Sequence, residues 1–269
     1  MLLAVDVGNT NTVLGVCEGG VVRDAFRITT PPTWTRDDVG LLVRGLLDGV
    51  GYAPRPGARL AGGAVMCSVV PSVTAAWEAC LESLFGEPPV VVTARTAVGL
   101  EILYRDPYSV GGDRLADAMA VLRYYSAPAI VVDLGTATTF DVIDSRGRYL
   151  GGVIAPGVVT GASELFRRAA RLAAVELSIP ARVVGQSTEE SIQSGVMFGA
   201  GAQVDGIVRR IIAEQGFAPT VIATGGLAPL VARVSETIAI VDEDLTIKGL
   251  VAIYDAVRGA NAPGGTSAA

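Results

Sequence analysis

The chain has 269 residues, with 21 Lys+Arg against 27 Asp+Glu, a net charge of −6 and no histidine. Without imidazole, Ser-His-Asp and Cys-His catalysis and histidine-ligated zinc or haem are excluded. Acid–base chemistry must therefore use carboxylates, backbone groups or Lys248, the single lysine.

The N-terminal segment predicts three strands joined by turns. Residues 2–5 are an apolar run of strand type, Asp-Val-Gly-Asn-Thr-Asn-Thr follows at residues 6–12, and a second apolar segment occupies residues 13–17. After a Glu-Gly-Gly turn, residues 21–28 alternate in polarity, which indicates the third strand.

The same pattern returns at residue 129. Residues 129–132 are apolar, Asp-Leu-Gly-Thr-Ala-Thr-Thr follows at residues 133–139, and strands are predicted at residues 140–143 and 148–154. Asp6 and Gly8 align with Asp133 and Gly135, and we expect the hairpin turns at the same offset. Such an internal repeat predicts two similar halves.

Helical periodicity fills the intervals between these strands. The pattern predicts a helix that opens at Asp113 and further helices at residues 35–47, 73–85, 187–214 and 245–257. Thr35 and Ser187 begin theirs with the capping sequences Thr-x-x-Asp and Ser-x-x-Glu. A short strand at residues 221–223 ends in Thr-Gly-Gly. Strands that alternate with helices predict an α/β fold, with domains at residues 1–112 and 113–258 and a flexible tail at 259–269.

The repeated glycine turns suit phosphate binding. Glycine lets the backbone approach a ligand, and neighbouring N–H groups can point at phosphate oxygens. Thr and Asn side chains add donors, and an aspartate at a strand end can hold Mg²⁺. One such turn is most often only a turn, whereas two matched copies favour two phosphate loops around one nucleotide. The turn at residues 224–226 permits close approach of adenine, with a plain strand-to-helix turn as the alternative.

Five segments together carry a family resemblance. They are residues 6–10 (DVGNT), residues 104–114 with their Gly-Gly-Asp-Arg end, residues 133–141 (DLGTATTFD), residues 151–157 (GGVIAPG) and residues 191–195 (SIQSG). In this order and spacing the sequence resembles the acetate kinase/sugar kinase/Hsp70/actin superfamily and, within it, the type III pantothenate kinases. The resemblance implies two actin-like (ribonuclease H-like) domains with an interdomain nucleotide cleft. It also implies ATP-dependent phosphorylation of pantothenate to 4'-phosphopantothenate, the first step of coenzyme A biosynthesis.

The resemblance assigns the role of catalytic base to Asp113. The matching aspartate of the family orients the pantothenate hydroxyl for attack on the γ-phosphate. A carboxylate suffices for this task because phosphoryl transfer has a loose transition state, in which the proton leaves late. An ordinary helix N-cap is the alternative interpretation of Asp113.

The resemblance also implies the ligand contacts. Those with ATP involve Asp6, Val7, Gly8, Asn9, Thr10, Asn11, Thr12, Val13 and Thr136. Those with pantothenate involve Tyr104, Gly111, Gly112, Asp113, Arg114 and Thr188. Arg114 can pair with the substrate carboxylate, and Thr188 matches a residue that reaches the substrate across a dimer interface. Core packing is the alternative for Tyr104, and helix capping beside Ser187 is the alternative for Thr188.

Cations and a second subunit follow from the same resemblance. Asp133 matches the residue that holds a monovalent cation, K⁺ or NH₄⁺, and Asp6 is expected to organise Mg²⁺. An unpaired carboxylate after a buried strand would be costly, and a bound cation would resolve that cost. The family is homodimeric, so we expect a homodimer. The sequence departs from the family's pattern where Asp106 replaces Asn, Ser187 replaces Asn and Ala173 replaces Pro.

Two other functions stay open at this point. One is a non-catalytic paralogue that acts as a regulatory or transcription accessory protein, although the retained aspartates and Arg114 argue against it. The other is a superfamily kinase for another small hydroxyl compound, which substrate competition would distinguish.

The composition also limits partners and location. The mildly acidic balance argues against a nucleic-acid partner. The apolar stretches are too short for a membrane span, and the N-terminus has no basic leader, so we expect a cytoplasmic protein without membrane association. Cys17, Cys67 and Cys80 are expected to be buried and unpaired.

Overall fold

The computed structural model describes residues 1–52, 58–169 and 174–260, which form an α/β fold of two compact units. The first unit contains Met1–Tyr125 and the last helix of the chain, and the second contains Ser126–Glu243. Each unit has one five-stranded sheet, as the internal repeat predicts. Ala173 and nearly all of the predicted tail lie outside the described residues.

The elements are numbered along the whole chain. The strands are β1 (Leu2–Val7), β2 (Asn11–Glu18), β3 (Val21–Thr29), β4 (Gly63–Ser68), β5 (Val90–Val91), β6 (Ala129–Leu134), β7 (Ala137–Ile143), β8 (Tyr149–Pro156), β9 (Thr220–Thr224) and β10 (Ile240–Val241). The helices are α1 (Arg36–Gly49), α2 (Pro71–Phe85), α3 (Gly112–Tyr124), α4 (Val158–Arg168), α5 (Thr188–Gln215), α6 (Ala228–Val231) and α7 (Leu245–Ala260).

The two sheets share one topology. Their strand orders are β3-β2-β1-β4-β5 and β10-β9-β6-β7-β8, so in each sheet an antiparallel meander of three strands adjoins parallel strands. The five meander strands that the sequence predicts before residue 144, together with β8 and β9, are confirmed. Strands β4, β5 and β10 and helices α4 and α6 were not predicted, and β5, β10 and α6 are too short to show any periodicity.

Capping residues set where the helices begin. Thr35 forms the predicted capping box, in which its hydroxyl accepts from the Asp38 N–H at 3.3 Å and the Asp38 carboxylate accepts from the Thr35 N–H at 2.9 Å. The box at α5 is half formed. The Ser187 hydroxyl accepts from the Glu190 N–H at 3.1 Å, but the Glu190 carboxylate accepts from Gln186 instead of Ser187.

Both faces of the first sheet are covered within its own unit. Helices α1 and α2 contribute Val39, Leu47 and Trp77 to the core on one face. On the other face, α7 contacts β1, β2 and β4. The same helix packs closely on α3, since a Cβ added at Gly249 would lie 1.8 Å from the Ala116 carbonyl oxygen. Because α3 packs on α7 and β4, contacts group it with the first unit, and the compact units thus differ in their limits from the predicted domains.

Candidate functional site

The loop between β1 and β2 presents the first predicted phosphate-binding segment. The Gly8 N–H donates to the Asn11 carbonyl at 3.0 Å, and a Cβ added at Gly8 would lie 2.8 Å from that same oxygen. This tight closure needs glycine and leaves Asn9 and Thr10 exposed at the tip. Behind the tip, the buried Thr12 hydroxyl bonds the Thr30 hydroxyl at 2.8 Å. The base of the loop is therefore held by a buried hydrogen bond, and its tip is exposed to solvent.

Two carboxylates interact electrostatically at this end of the first sheet. Burial, followed by the negative charge of Asp113, raises the pKa of Asp6 to about 6. The Cys67 thiol donates to Asp6 Oδ1 at 3.2 Å and opposes part of this rise. Burial also raises the pKa of Asp113, against the Arg114 N–H bond at 2.8 Å and the Arg114 charge. The site concentrates negative charge that a cation would stabilise.

The start of α3 explains why two glycines precede Asp113. Gly111 is the N-cap residue, and a Cβ there would lie 2.4 Å from Asp113 Oδ1. A Cβ at Gly112 would lie 2.8 Å from the Cβ of Cys67. Gly111 and not Asp113 is the N-cap, so the N-cap interpretation of Asp113 is wrong, although its carboxylate accepts from the Arg114 N–H of the first turn. Arg114 follows as a buried residue of the same turn.

The segment before α3 is exposed where the substrate was expected. Tyr104 is 37% exposed, so core packing does not account for it. Asp106 caps the short 3₁₀ turn Pro107–Ser109, and its Oδ1 accepts from the Tyr108 N–H at 3.1 Å. An asparagine oxygen can accept the same bond, so this departure from the family's pattern preserves the turn.

The corresponding loop of the second unit is surrounded by glycines. Asp133 is half-buried at the end of β6, and the Gly135 N–H donates to the Ala137 carbonyl at 3.0 Å. Gly225 has φ +89°, and a Cβ there would lie 2.4 Å from Asp133 Oδ1. A Cβ at Gly157 would lie 2.2 Å from the Thr136 carbonyl oxygen, which also accepts from the Thr160 hydroxyl at 2.7 Å. No side chain larger than hydrogen fits at either glycine.

The two loops differ in length, which corrects the expected offset. The first closes between Val7 and Thr12, and the second closes between Leu134 and Thr138, one residue sooner. Thr12 and Thr138 therefore occupy equivalent positions in the two sheets. The number of residues that separates them is one smaller than the number that separates Asp6 from Asp133. The following turns also differ, with two residues between β2 and β3 and five between β7 and β8.

Thr188 is the first residue of α5 and is exposed. Because Ser187 is the N-cap, capping does not account for Thr188. The chain before α5 is tied to this helix, since the Gln193 side-chain amide donates to the Glu176 carbonyl at 2.9 Å. The Ser194 hydroxyl likewise donates to the Val183 carbonyl.

The carboxylates suit cation binding with help from a ligand. Over residues 1–52, 58–169 and 174–260, no group of three or more acidic or cysteine side chains forms a complete metal site. Mg²⁺ at a phosphate site takes one or two carboxylates and completes its shell from phosphate and water. Asp6 fits that donor set as a single carboxylate, and the negative charge of nearby Asp113 adds to the effect of burial on its pKa. Asp133 offers one half-buried carboxylate, with the backbone of Gly225 close beside it.

Each unit thus gathers a separate set of the sequence-predicted residues. The first contains the loop at residues 6–13, Tyr104 and the Gly-Gly-Asp-Arg turn, and the second contains Asp133, Thr136 and Thr188. Cys67 is buried and unpaired as predicted, as are Cys17 and Cys80. Its contact with Asp6 was missed, because only the unpredicted strand β4 places the two residues side by side.

Comparison with known proteins gives a consistent family. The family model described as type III pantothenate kinase matches residues 2–210. A type III pantothenate kinase of Brevibacillus brevis is 43% identical over 255 residues, which covers 95% of this chain and 98% of the relative. Another, from Anaeromyxobacter sp. strain Fw109-5, is 45% identical over 258 residues and covers 96% and 100%.

A likeness to solved structures concerns the fold alone. The activator of the 2-hydroxyisocaproyl-CoA dehydratase from Clostridium difficile, with bound ADPNP, has a TM-score of 0.54 at 15% identity, and the match covers 99% of each chain. Separately, none of the described helices is both long and apolar enough to cross a membrane.

Proposed function

The chain belongs to the type III pantothenate kinase family, and we propose that it transfers the γ-phosphoryl group of ATP to the terminal hydroxyl of pantothenate. The product is 4'-phosphopantothenate, the first intermediate of coenzyme A biosynthesis. The observation that carries this proposal is the Gly111-Gly112-Asp113-Arg114 turn. It holds a partly buried carboxylate at the second residue of α3, and this carboxylate interacts electrostatically with Asp6.

Asp113 serves as the general base. Its carboxylate accepts the proton of the substrate hydroxyl as the bond to phosphorus forms. The raised pKa, caused by burial, makes it a better base than an ordinary aspartate at neutral pH. The loose transition state asks little of the base, so the absence of histidine is no obstacle.

The ATP contacts come from the glycine loops. In the first, the exposed tip of the loop and its backbone N–H groups face the phosphates, and the buried Thr12–Thr30 bond supports them. In the second, Thr136 lies exposed beside Gly157. The proposed contact residues are Asp6, Val7, Gly8, Asn9, Thr10, Asn11, Thr12, Val13 and Thr136.

The pantothenate contacts surround Asp113 in sequence. Tyr104 is exposed and offers a phenol group. Arg114 supplies a guanidinium that suits the pantothenate carboxylate, because such pairs form two parallel hydrogen bonds. Gly111 and Gly112 are the other proposed contacts in this unit, and Thr188 of a second subunit completes the set.

Two cations accompany the reaction. Asp6 would hold Mg²⁺, which neutralises charge on the transferred phosphoryl group. Asp133 would hold a monovalent cation, K⁺ or NH₄⁺, whose positive charge offsets that of a partly buried carboxylate.

A homodimer is supported by apolar side chains exposed on the second unit. A second subunit that covered these side chains would remove their apolar surface from water. The side chains are Ile154 at 65% exposure, Val159 at 50%, Leu165 at 43%, Val183 at 67% and Val184 at 80%.

The decisive experiment is a reconstituted assay. Purified protein with ATP, Mg²⁺, K⁺ and pantothenate should yield phosphopantothenate, and replacing K⁺ with Na⁺ should depress the rate. Absence of product under all cation conditions would overturn the proposal. Competition between pantothenate and other small hydroxyl compounds tests the substrate, since a different preferred acceptor would show up as a higher kcat/KM.

A further inference from the structure

Cys67 lies at the centre of the first unit's site, although the proposed chemistry does not use it. Strand β4 runs parallel to β1 and places Cys67 opposite Asp6, with both side chains on one face of the sheet. The thiol sulfur lies 3.2 Å from Asp6 Oδ1, and the residue is fully buried. Among the described residues, it is the one side chain that donates a hydrogen bond to Asp6.

The same cysteine also contacts the start of α3. A Cβ added at Gly112 would lie only 2.8 Å from the Cβ of Cys67, so the helix backbone rests directly on this residue. Asp113 is the next residue of that helix. Cys67 therefore touches one proposed functional carboxylate and the backbone that carries the other.

The chemistry of the thiol suits a permanent donor. A cysteine thiol ordinarily loses its proton only at about pH 8.5, and the carboxylate oxygen beside it is an acceptor, so the 3.2 Å contact is an S–H···O hydrogen bond at neutral pH. A protonated buried thiol is a poor nucleophile, and it cannot replace either carboxylate. It can hold one oxygen of Asp6 in place while the other oxygen remains available.

We propose that Cys67 is a positioning residue: its S–H group fixes the orientation of the Asp6 carboxylate, and its backbone-level contact with Gly112 sets the placement of Asp113 relative to Asp6. This inference rests on the proposed function, in which Asp6 acts at the ATP phosphates. The chemistry requires only a small donor at residue 67, so serine should replace cysteine and alanine should not.

The test compares Cys67→Ala with Cys67→Ser, and uses Cys80→Ala as the matched control because Cys80 is another buried cysteine of the same unit. The probe is a fluorescent ATP analogue titrated with and without Mg²⁺. Loss of one hydrogen bond to a charged group predicts about tenfold weaker Mg²⁺-dependent binding for Cys67→Ala. Cys67→Ser should stay within about twofold of the wild type, and Cys80→Ala should not change binding.

A second background separates positioning from mere packing. When Asp6→Asn is already present, adding Cys67→Ala should cause no further loss of Mg²⁺-dependent binding, since the carboxylate to be oriented is gone. Equal losses in both backgrounds would overturn the proposal, as would equal losses for Cys67→Ala and Cys67→Ser with no change for Cys80→Ala.

An activity-free readout keeps this inference distinct from the proposed function. The S–H stretching band of Cys67, isolated by subtracting the infrared spectrum of Cys67→Ser, should shift when Asp6 becomes Asn. An unshifted band would refute the thiol–carboxylate link even in an active kinase. A shifted band in a protein that phosphorylates no pantothenate would leave the link standing while the proposed function fails.

Discussion

The two hairpin loops, at residues 6–13 and 133–139, occupy the same place in two sheets of one topology but are built differently. The first is one residue longer, and its aspartate accepts a hydrogen bond from Cys67 and feels the negative charge of Asp113. The second is shorter, and its aspartate is crowded by the backbone of Gly225. The two sheets thus have the same topology, but their loops differ. In the first loop, charge and hydrogen bonding act on the aspartate, whereas in the second, close packing of the backbone surrounds it.

Equivalent positions within the sheets show the same divergence. Thr12 and Thr138 are both buried, but the Thr12 hydroxyl is paired with Thr30, whereas the Thr138 hydroxyl has no partner among the described residues. Gly157 occupies the place of Thr30 and has no hydroxyl to offer. Further along, Gly15 corresponds to Asp141, which is fully buried and accepts from Tyr149 at 2.6 Å.

The largest expected effect is on turnover, and it comes from removing the Asp113 charge in the first unit. Asp113→Asn keeps the shape of the side chain and removes the base, so kcat should fall by about 10³-fold. Binding of ATP, measured by fluorescence with an ATP analogue, should change little because the phosphate loop is untouched. A variant that retains more than a tenth of wild-type turnover would show that another group accepts the proton.

Steric confinement predicts the next largest effect, in the second loop. Gly225→Ala places a methyl group 2.4 Å from Asp133 Oδ1, and displacement of the carboxylate should lower kcat/KM about a hundredfold. Activation by K⁺ should weaken in the same variant. Gly19→Ala is the matched control, because Gly19 also has positive φ (+58°) but nothing within 4 Å, so it incurs backbone strain without the clash. Similar kinetics for both variants would contradict the distinction between the loops.

The partly buried charge of Asp6 should lower the stability of the folded protein at neutral pH. The folded-state pKa of about 6 lies above the ordinary value of 3.8, so the ionised carboxylate disfavours folding at neutral pH. In the absence of Mg²⁺ and nucleotide, Asp6→Asn should therefore be more stable than the wild type by about 3 kcal/mol at pH 8. The difference should shrink as the pH falls through 6 and vanish below about 4. Denaturant unfolding at several pH values measures it, and a gap independent of pH would contradict the assignment.

The smallest effect compares the equivalent threonines. Thr12→Val breaks the bond to Thr30 and should cost about 1 kcal/mol of unfolding free energy. Thr138→Val should be neutral or stabilising, because its hydroxyl is buried without a partner in the described structure. Urea denaturation of the two variants provides the test, and equal destabilisation would mean that the Thr138 hydroxyl is satisfied in solution.

Local patterns were enough to predict much of this molecule. The repeated Asp-x-Gly turns predicted two similar halves, and the Thr-x-x-Asp capping sequence at Thr35 predicted the start of α1. Register was not accessible in the same way, because whether a loop has three or four residues depends on how the strands pair. The partner of Asp6 was hidden for that reason. Nothing local to Cys67 indicates which residue of β1 lies beside it.

Domain limits were also beyond local patterns. Gly112 and Asp113 follow a long irregular segment, which makes a plausible boundary in the sequence. Packing places α3 with α7 instead, through contacts such as the Thr246 hydroxyl donating to Asp117 at 2.8 Å. Residues separated by more than a hundred positions determine that grouping, and no periodicity reports it.

The packing of α7 has a consequence for how the protein is made. This helix covers the first sheet, where its Ile247 side chain fills the space that a Cβ at Gly15 would occupy. It emerges from the ribosome only after the whole second unit, Ser126–Glu243. The first unit therefore begins synthesis first but receives its last helix only at the end. Until α7 packs on it, the first sheet exposes one apolar face, which chaperones can bind. The continuous second unit has all its strands available earlier, so nascent-chain proteolysis should detect its protection before that of the first.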